Sequence, residues 1–133
     1  MLFAEEMKRS GQTLVEFALA APILFLLLLG IIQYGLIFSA SLTLRHGAQV
    51  TSRTLSLSGA TTNNVSTVAC QAISPMLDCS KLQAPQVTYP TVGPNNAVQV
   101  KLTYNLPLIV SFVVPGASGN TLTLTATGVD RKF

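Results

Sequence analysis

Few residues of this chain can do chemistry. Its one histidine is His46, its two cysteines are Cys70 and Cys79, and Asp78 and Asp130 are the carboxylates beyond Glu16. No local motif joins His46 to a serine and an aspartate, so a nucleophilic triad has no support. One histidine and two cysteines are too small a set for a metal centre. The cysteines lack the C-x-x-C spacing of a redox pair or zinc knuckle. There is no glycine-rich phosphate loop. The expectation is a protein that is not an enzyme, with no cofactor and no metal.

Two other chemistries are open to these residues. In an oxidising compartment Cys70 and Cys79 can pair, closing a small loop worth about 2–3 kcal/mol; otherwise they are buried free thiols. The eight cations, Lys8, Arg9, Arg45, Arg53, Lys81, Lys101, Arg131 and Lys132, give a net charge of +3. They are scattered without interleaved stacking aromatics, so nucleic acid is not an expected partner.

The most informative charge is Glu16, alone between Ser10 and Leu44. An ionised carboxylate in lipid costs at least a few kcal/mol, so it must find a partner or stay at the interface. Cleavage after Gly11 would create an α-amino group on Gln12, about one helical turn from Glu16. Amine and carboxylate entering a low-dielectric bundle are natural partners, within or between subunits.

The element that positions Glu16 is an apolar run from Phe17 to Ala40. About 20 such residues cross ~30 Å of hydrocarbon, so membrane lipid is its expected surroundings. A soluble core would need helices on every side of it, and the rest of this chain, with 133 residues in all, cannot supply them. Pro22 is expected to kink the helix or sit in its first turns. Lys8 and Arg9 at one end balance Arg45 and Arg53 at the other, so charge leaves the orientation undecided.

Past the run, Ala40, Leu44, Ala48, Thr51 and Leu55 keep a helical spacing as far as a stop at Ser58-Gly59. A helix from Leu14 to Leu57 would measure roughly 65 Å, about twice the hydrocarbon thickness. Such an overhang fits a stalk or packing rod. Thr61-Thr62-Asn63-Asn64 reads as a loop and N-cap, and Val65 to Met76 as a short amphipathic helix.

Three alternating runs follow: Val87 to Thr91, Val98 to Tyr104, and Thr121 to Thr127. Gly93-Pro94-Asn95-Asn96 joins the first two as a hairpin loop, and all three form an antiparallel sheet packed on the helices. The apolar segment Leu106 to Val114 is either a buried or edge strand, or a patch on the membrane or a neighbouring subunit. The fold class is α+β: a long transmembrane helix, a short helix and a three-stranded antiparallel sheet.

The stretch Gly11-Gln12-Thr13-Leu14-Val15-Glu16-Phe17 resembles the type IV prepilin cleavage site. Residues 11–38 are similar to the TadE-like pseudopilins of the tight-adherence (Flp pilus) system. The features that carry the likeness are Val15-Glu16-Phe17-Ala18-Leu19, Pro22, the leucine run, Gly30-Ile31-Ile32, Gly35 and Phe38. Arg45-His46-Gly47-Ala48 resembles the family's arginine-x-glycine-alanine turn of helix. The C-terminal strand, proline-flanked segment and final Leu/Thr/Ala strand match as well. Family members often carry an acidic residue in place of Gln33, and usually glutamate in place of His46.

This resemblance implies a leader over 1–11, a transmembrane and stalk helix over 12–58, and a small periplasmic pilin-like domain over 59–133. A prepilin peptidase would cut between Gly11 and Gln12, and Glu16 would serve assembly. The chain would sit once through the inner membrane with its N-terminus cytoplasmic, or enter an extracellular pilus. Its expected partners are the peptidase, the major Flp pilin, other minor pilins and the Tad assembly platform, in a fibre for surface adhesion. Two alternatives are a secreted protein cut near Ser39-Ala40-Ser41 and an uncleaved signal-anchored envelope protein.

Overall fold

The structure, a computed structural model, describes residues 2–58, 64–92, 95–109 and 114–131, the side chains of 2–10 and 91–96 excepted. Gly59, the loop residues 61–63, the Gly93-Pro94 turn and positions 110–113 lie outside them. One helix, α1 (Leu2–Ser58), runs through the first part of the chain without a break. It begins before the expected Leu14 and continues through Gly11. Helix α2 (Val65–Ile73) follows, then a 3-10 turn over Cys79–Lys81.

Helix α2 is shorter than the apolar spacing suggested. It ends at Ile73 because Ser74 is extended and Pro75 follows, and the residue before a proline disfavours helical backbone. Met76 is therefore outside the helix and largely exposed. Asn64 occupies the N-cap position, but its side chain makes no capping hydrogen bond.

The sheet is built around β3 (Asn95–Pro107), flanked by β1 (Gln86–Thr88) and β4 (Thr121–Arg131), all antiparallel. A short β2 (Thr91–Val92) pairs with the start of β3. The first alternating run is thus broken at Tyr89-Pro90, yet β1 and β2 share one register against β3. Pro90 has no N–H for a ladder, but its carbonyl accepts from Ala97 N at 3.1 Å, so the edge survives the interruption. Pairing of Val92 with Asn95 puts Asn95 and Asn96 in β3 instead of the turn.

Alternation sorts the sheet into two faces. Val98, Val100, Leu102 and Tyr104 of β3 are buried, as is Ala126 of β4. The threonines at 121, 123, 125 and 127 are exposed on the opposite face. Against the buried face lies one stripe of α1, formed by Ala40, Leu44, Ala48, Thr51 and Leu55. Val65, Ala69 and Ile73 of α2 close the core from the side.

Two glycines set how closely these layers meet. A Cβ on Gly128 of β4 would overlap the carbonyl of Ala48 and lie 2.8 Å from Gln49 N. A Cβ on Gly47 would meet the Ile73 side chain of α2. Small residues on both sides let α1 lie almost backbone to backbone on β4. Ser56 Oγ then donates to Asp130 Oδ2 at 3.1 Å, further along the same seam.

Cys70 and Cys79 form a disulfide, with Cα atoms 5.4 Å apart, tying α2 to the 3-10 turn. Beside it Asp78 Oδ1 accepts from Ser80 N at 3.0 Å, while Asp78 N donates to Tyr104 Oη at 3.3 Å. Hydrogen bonds from Ser80, aided by the Lys81 charge, hold the exposed Asp78 carboxyl below its ordinary range. A depressed carboxylate stabilises the fold above its unfolded pKa and loses that contribution as pH falls through the folded value.

Gly128→Ala should cost about 3 kcal/mol or more, because the added methyl meets backbone that cannot move aside. Gly47→Ala should cost about 1 kcal/mol, since overpacking against Ile73 is partly offset by better helix propensity. Thermal unfolding in detergent, followed by the near-ultraviolet dichroism of buried Tyr104, measures both; equal costs would refute the close-approach argument. Replacing both cysteines by alanine should remove about 2–3 kcal/mol in the same assay, with no loss under reducing conditions beyond that.

Candidate functional site along the long helix

The residues singled out for processing lie on α1 where no described residue covers them. Gly11, Gln12 and Glu16 are all exposed. A Cβ on Gly11 would meet no atom within 4 Å. Glycine inside a helix costs roughly 0.5–1 kcal/mol relative to alanine. Among the described residues no packing contact offsets that cost at Gly11 or at Gly35, in contrast to Gly47 and Gly128.

Gln12 and Glu16 share one helix face, where Gln12 Nε2 donates to Glu16 Oε1 at 3.5 Å. This is the i, i+4 geometry of neighbouring turns. A long, exposed bond of this kind is a weak constraint, and it leaves the carboxylate free to take a better partner.

Above Glu16 the helix is bare. Phe17, Leu19, Ile23, Leu24, Phe25 and Leu26 are each at least half exposed, and the most apolar window of Gly11–Ser58 has mean hydropathy 2.6 with none of it buried. One such helix fits a single-pass membrane protein. Pro22 lies in the helix interior, where it denies the carbonyl of Ala18 its i+4 donor. Gly35 also has open space where a side chain would go.

The cover begins at Gln33, which is 1% exposed. Its Oε1 accepts from the backbone N–H of Ile109 at 3.0 Å, and its Nε2 is buried with no hydrogen-bond partner among the described residues. The apolar segment around Ile109 is the connection between β3 and β4. Its Leu106 and Pro107 end β3, and Leu108 N donates to Asn120 O at 2.8 Å. In the sequence Gln33 stands only as a departure from the family pattern, and nothing near it points to this tether. The available signal was chemical: it is the one side-chain amide between Gln12 and Gln49.

The other chemistry-bearing residues stay apart. His46 is exposed on α1, Asp130 bonds Ser56, and Asp78 caps its own turn beyond α2. Among the described residues no three of His, Cys, Asp and Glu could hold a metal ion together.

Residues 11–53 match the family model described as TadE-like protein. That range runs from Gly11 through the core stripe of α1 and stops short of α2 and the sheet. No curated protein and no solved structure matches the chain.

Proposed function

We propose that this chain, TadE-like over residues 11–53, is a minor pilin or pseudopilin of a Tad/Flp pilus. The match over residues 11–53 supports a Tad-system, pilus-related protein, a structural component that interacts with other pilus components. Beyond that, our reading assigns residues 1–11 as a leader, residues 12–58 as span and stalk, and residues 59–133 as a small periplasmic domain. A prepilin peptidase cuts between Gly11 and Gln12, on the cytoplasmic side of the inner membrane. The new amine on Gln12 and the carboxylate of Glu16 then pair within or between subunits as the helix joins a bundle with the major Flp pilin, other minor pilins and the assembly platform.

The observation that carries this reading is the placement of an exposed glycine five residues before the one charge of the apolar run. Gly47 and Gly128 are required by contacts inside the chain, whereas Gly11, like Gly35, has open space where a side chain would go; of these two only Gly11 precedes Glu16 at that spacing. A processing enzyme that accepts only glycine before its cut supplies the missing reason. The rival cut near Ser41 would sever α1 through its core stripe, since Ala40 is buried against the domain. It would also discard Gln33 and its bond to Ile109.

Gly11→Ala should leave the fold as stable as before, or up to about 1 kcal/mol more stable through helix propensity, and yet block maturation. Glu16→Ala should leave cleavage largely intact and impair assembly. N-terminal sequencing of the protein from its host, with and without the peptidase, reads the first effect; fibre counts by electron microscopy read the second. A mature start at Gln12 that depends on the peptidase is the expected result. Normal piliation in both variants would defeat the assignment.

A further inference from the structure

We propose that the start of the β3–β4 connection, Pro107 to Ile109, is embedded in the membrane beside α1 as a second lipid-contacting element. The inference rests on α1 being a membrane span, and its argument is one of depth. Between Glu16 and Arg45 the helix carries no charged residue. A hydrocarbon slab of ~30 Å takes about 20 residues of helix, so it can begin at Phe17 and end at Leu36, or begin as late as Phe25 and end at Leu44. In every such placement Gln33 lies inside the slab. The backbone of Ile109, hydrogen-bonded to Gln33 at 3.0 Å, lies at the same level.

The local chemistry suits that depth. Non-helical backbone at this depth is tolerated only where it is buried in protein and its polar groups are paired, because no water is present to satisfy them, and Leu108 is buried. Pro107 has no N–H, Leu108 N donates to Asn120 O, and Ile109 N donates to Gln33 Oε1. The Ile109 side chain is 66% exposed and points away from the core, where lipid would cover it. Exposed Ile32 and Leu36 of α1, within one turn of Gln33, lie at the same apolar level. The Gln33 carbonyl is thereby accounted for: it is the acceptor that lets a loop end enter the bilayer.

The chain contains no tryptophan, so single substitutions give unambiguous fluorescence. Ile109→Trp, Phe25→Trp and Tyr89→Trp are made in the full chain and reconstituted into phosphatidylcholine vesicles with ordinary or brominated acyl chains. Phe25→Trp calibrates the span, and Tyr89→Trp, exposed on the sheet edge, calibrates the aqueous domain. The expected result is blue-shifted emission from Ile109→Trp, quenched by brominated lipid and shielded from acrylamide, as for Phe25→Trp. Quenching of Phe25→Trp alone, with Ile109→Trp open to acrylamide, overturns the proposal and leaves the span standing. Shielding of Ile109→Trp from both quenchers, lost on dilution with excess lipid, would assign the patch to a second copy and overturn it as well. Absence of lipid quenching from Phe25→Trp would remove the span and the proposal together.

Discussion

The contact between Gly128 and Ala48 is the constraint on which the rest of the domain depends. A helix lies on a sheet at a distance set by the side chains between them, and here one of those side chains is absent. The close approach lets a single stripe of α1, largely Ala40, Leu44, Ala48 and Leu55, bury β3 and β4 without larger residues. It also brings Gly47 against Ile73, so α2 is positioned by the same turn of helix. One turn of α1, Gly47-Ala48, therefore serves two interfaces, and its neighbours Arg45 and His46 point to solvent.

Along α1 the environment changes at Gln33. Toward the C-terminus one face is covered by the domain; toward the N-terminus no residue from Gly11 to Ile32 is buried. A bare apolar helix of this length is unfavourable in water, so its stability must come from lipid or from other helices. Gln33 marks the change because a side-chain amide in an apolar run needs a partner, and the β3–β4 connection supplies a backbone donor. The domain is consequently not suspended from the end of the helix. It is fastened along the helix, from Gln33 to Ser56.

A sheet with one buried and one polar face has a small core, and small cores need additional ties. The disulfide between Cys70 and Cys79 is one. The Asp78–Tyr104 hydrogen bond and the pairing of Leu82 with Tyr104 are others, and they bind the segment after α2 to the central strand. The outer face of β4 contributes nothing to this core; there Thr121 Oγ1 donates to Ser118 O at 3.1 Å and Thr123 Oγ1 to Asn105 Oδ1 at 3.3 Å.

Local periodicity decided much of what could be read in advance. The C-terminal end of α1, the core stripe after Ala40, and the alternation of β3 and β4 are all properties of nearby residues. What escaped prediction depends on residues far apart in the chain. Gln33 and Ile109, Gly128 and Ala48, and Gly47 and Ile73 meet only once the sheet has docked on the helix. The apolar segment from Leu106 was ambiguous for the same reason, since a short apolar run has no periodicity that separates a strand from a connection. Sequence alone determined which elements form, because backbone sterics and hydrophobic spacing act over a few residues. Tertiary structure decided which polar group is buried and which glycine is indispensable, because both are set by atoms that arrive from elsewhere in the chain.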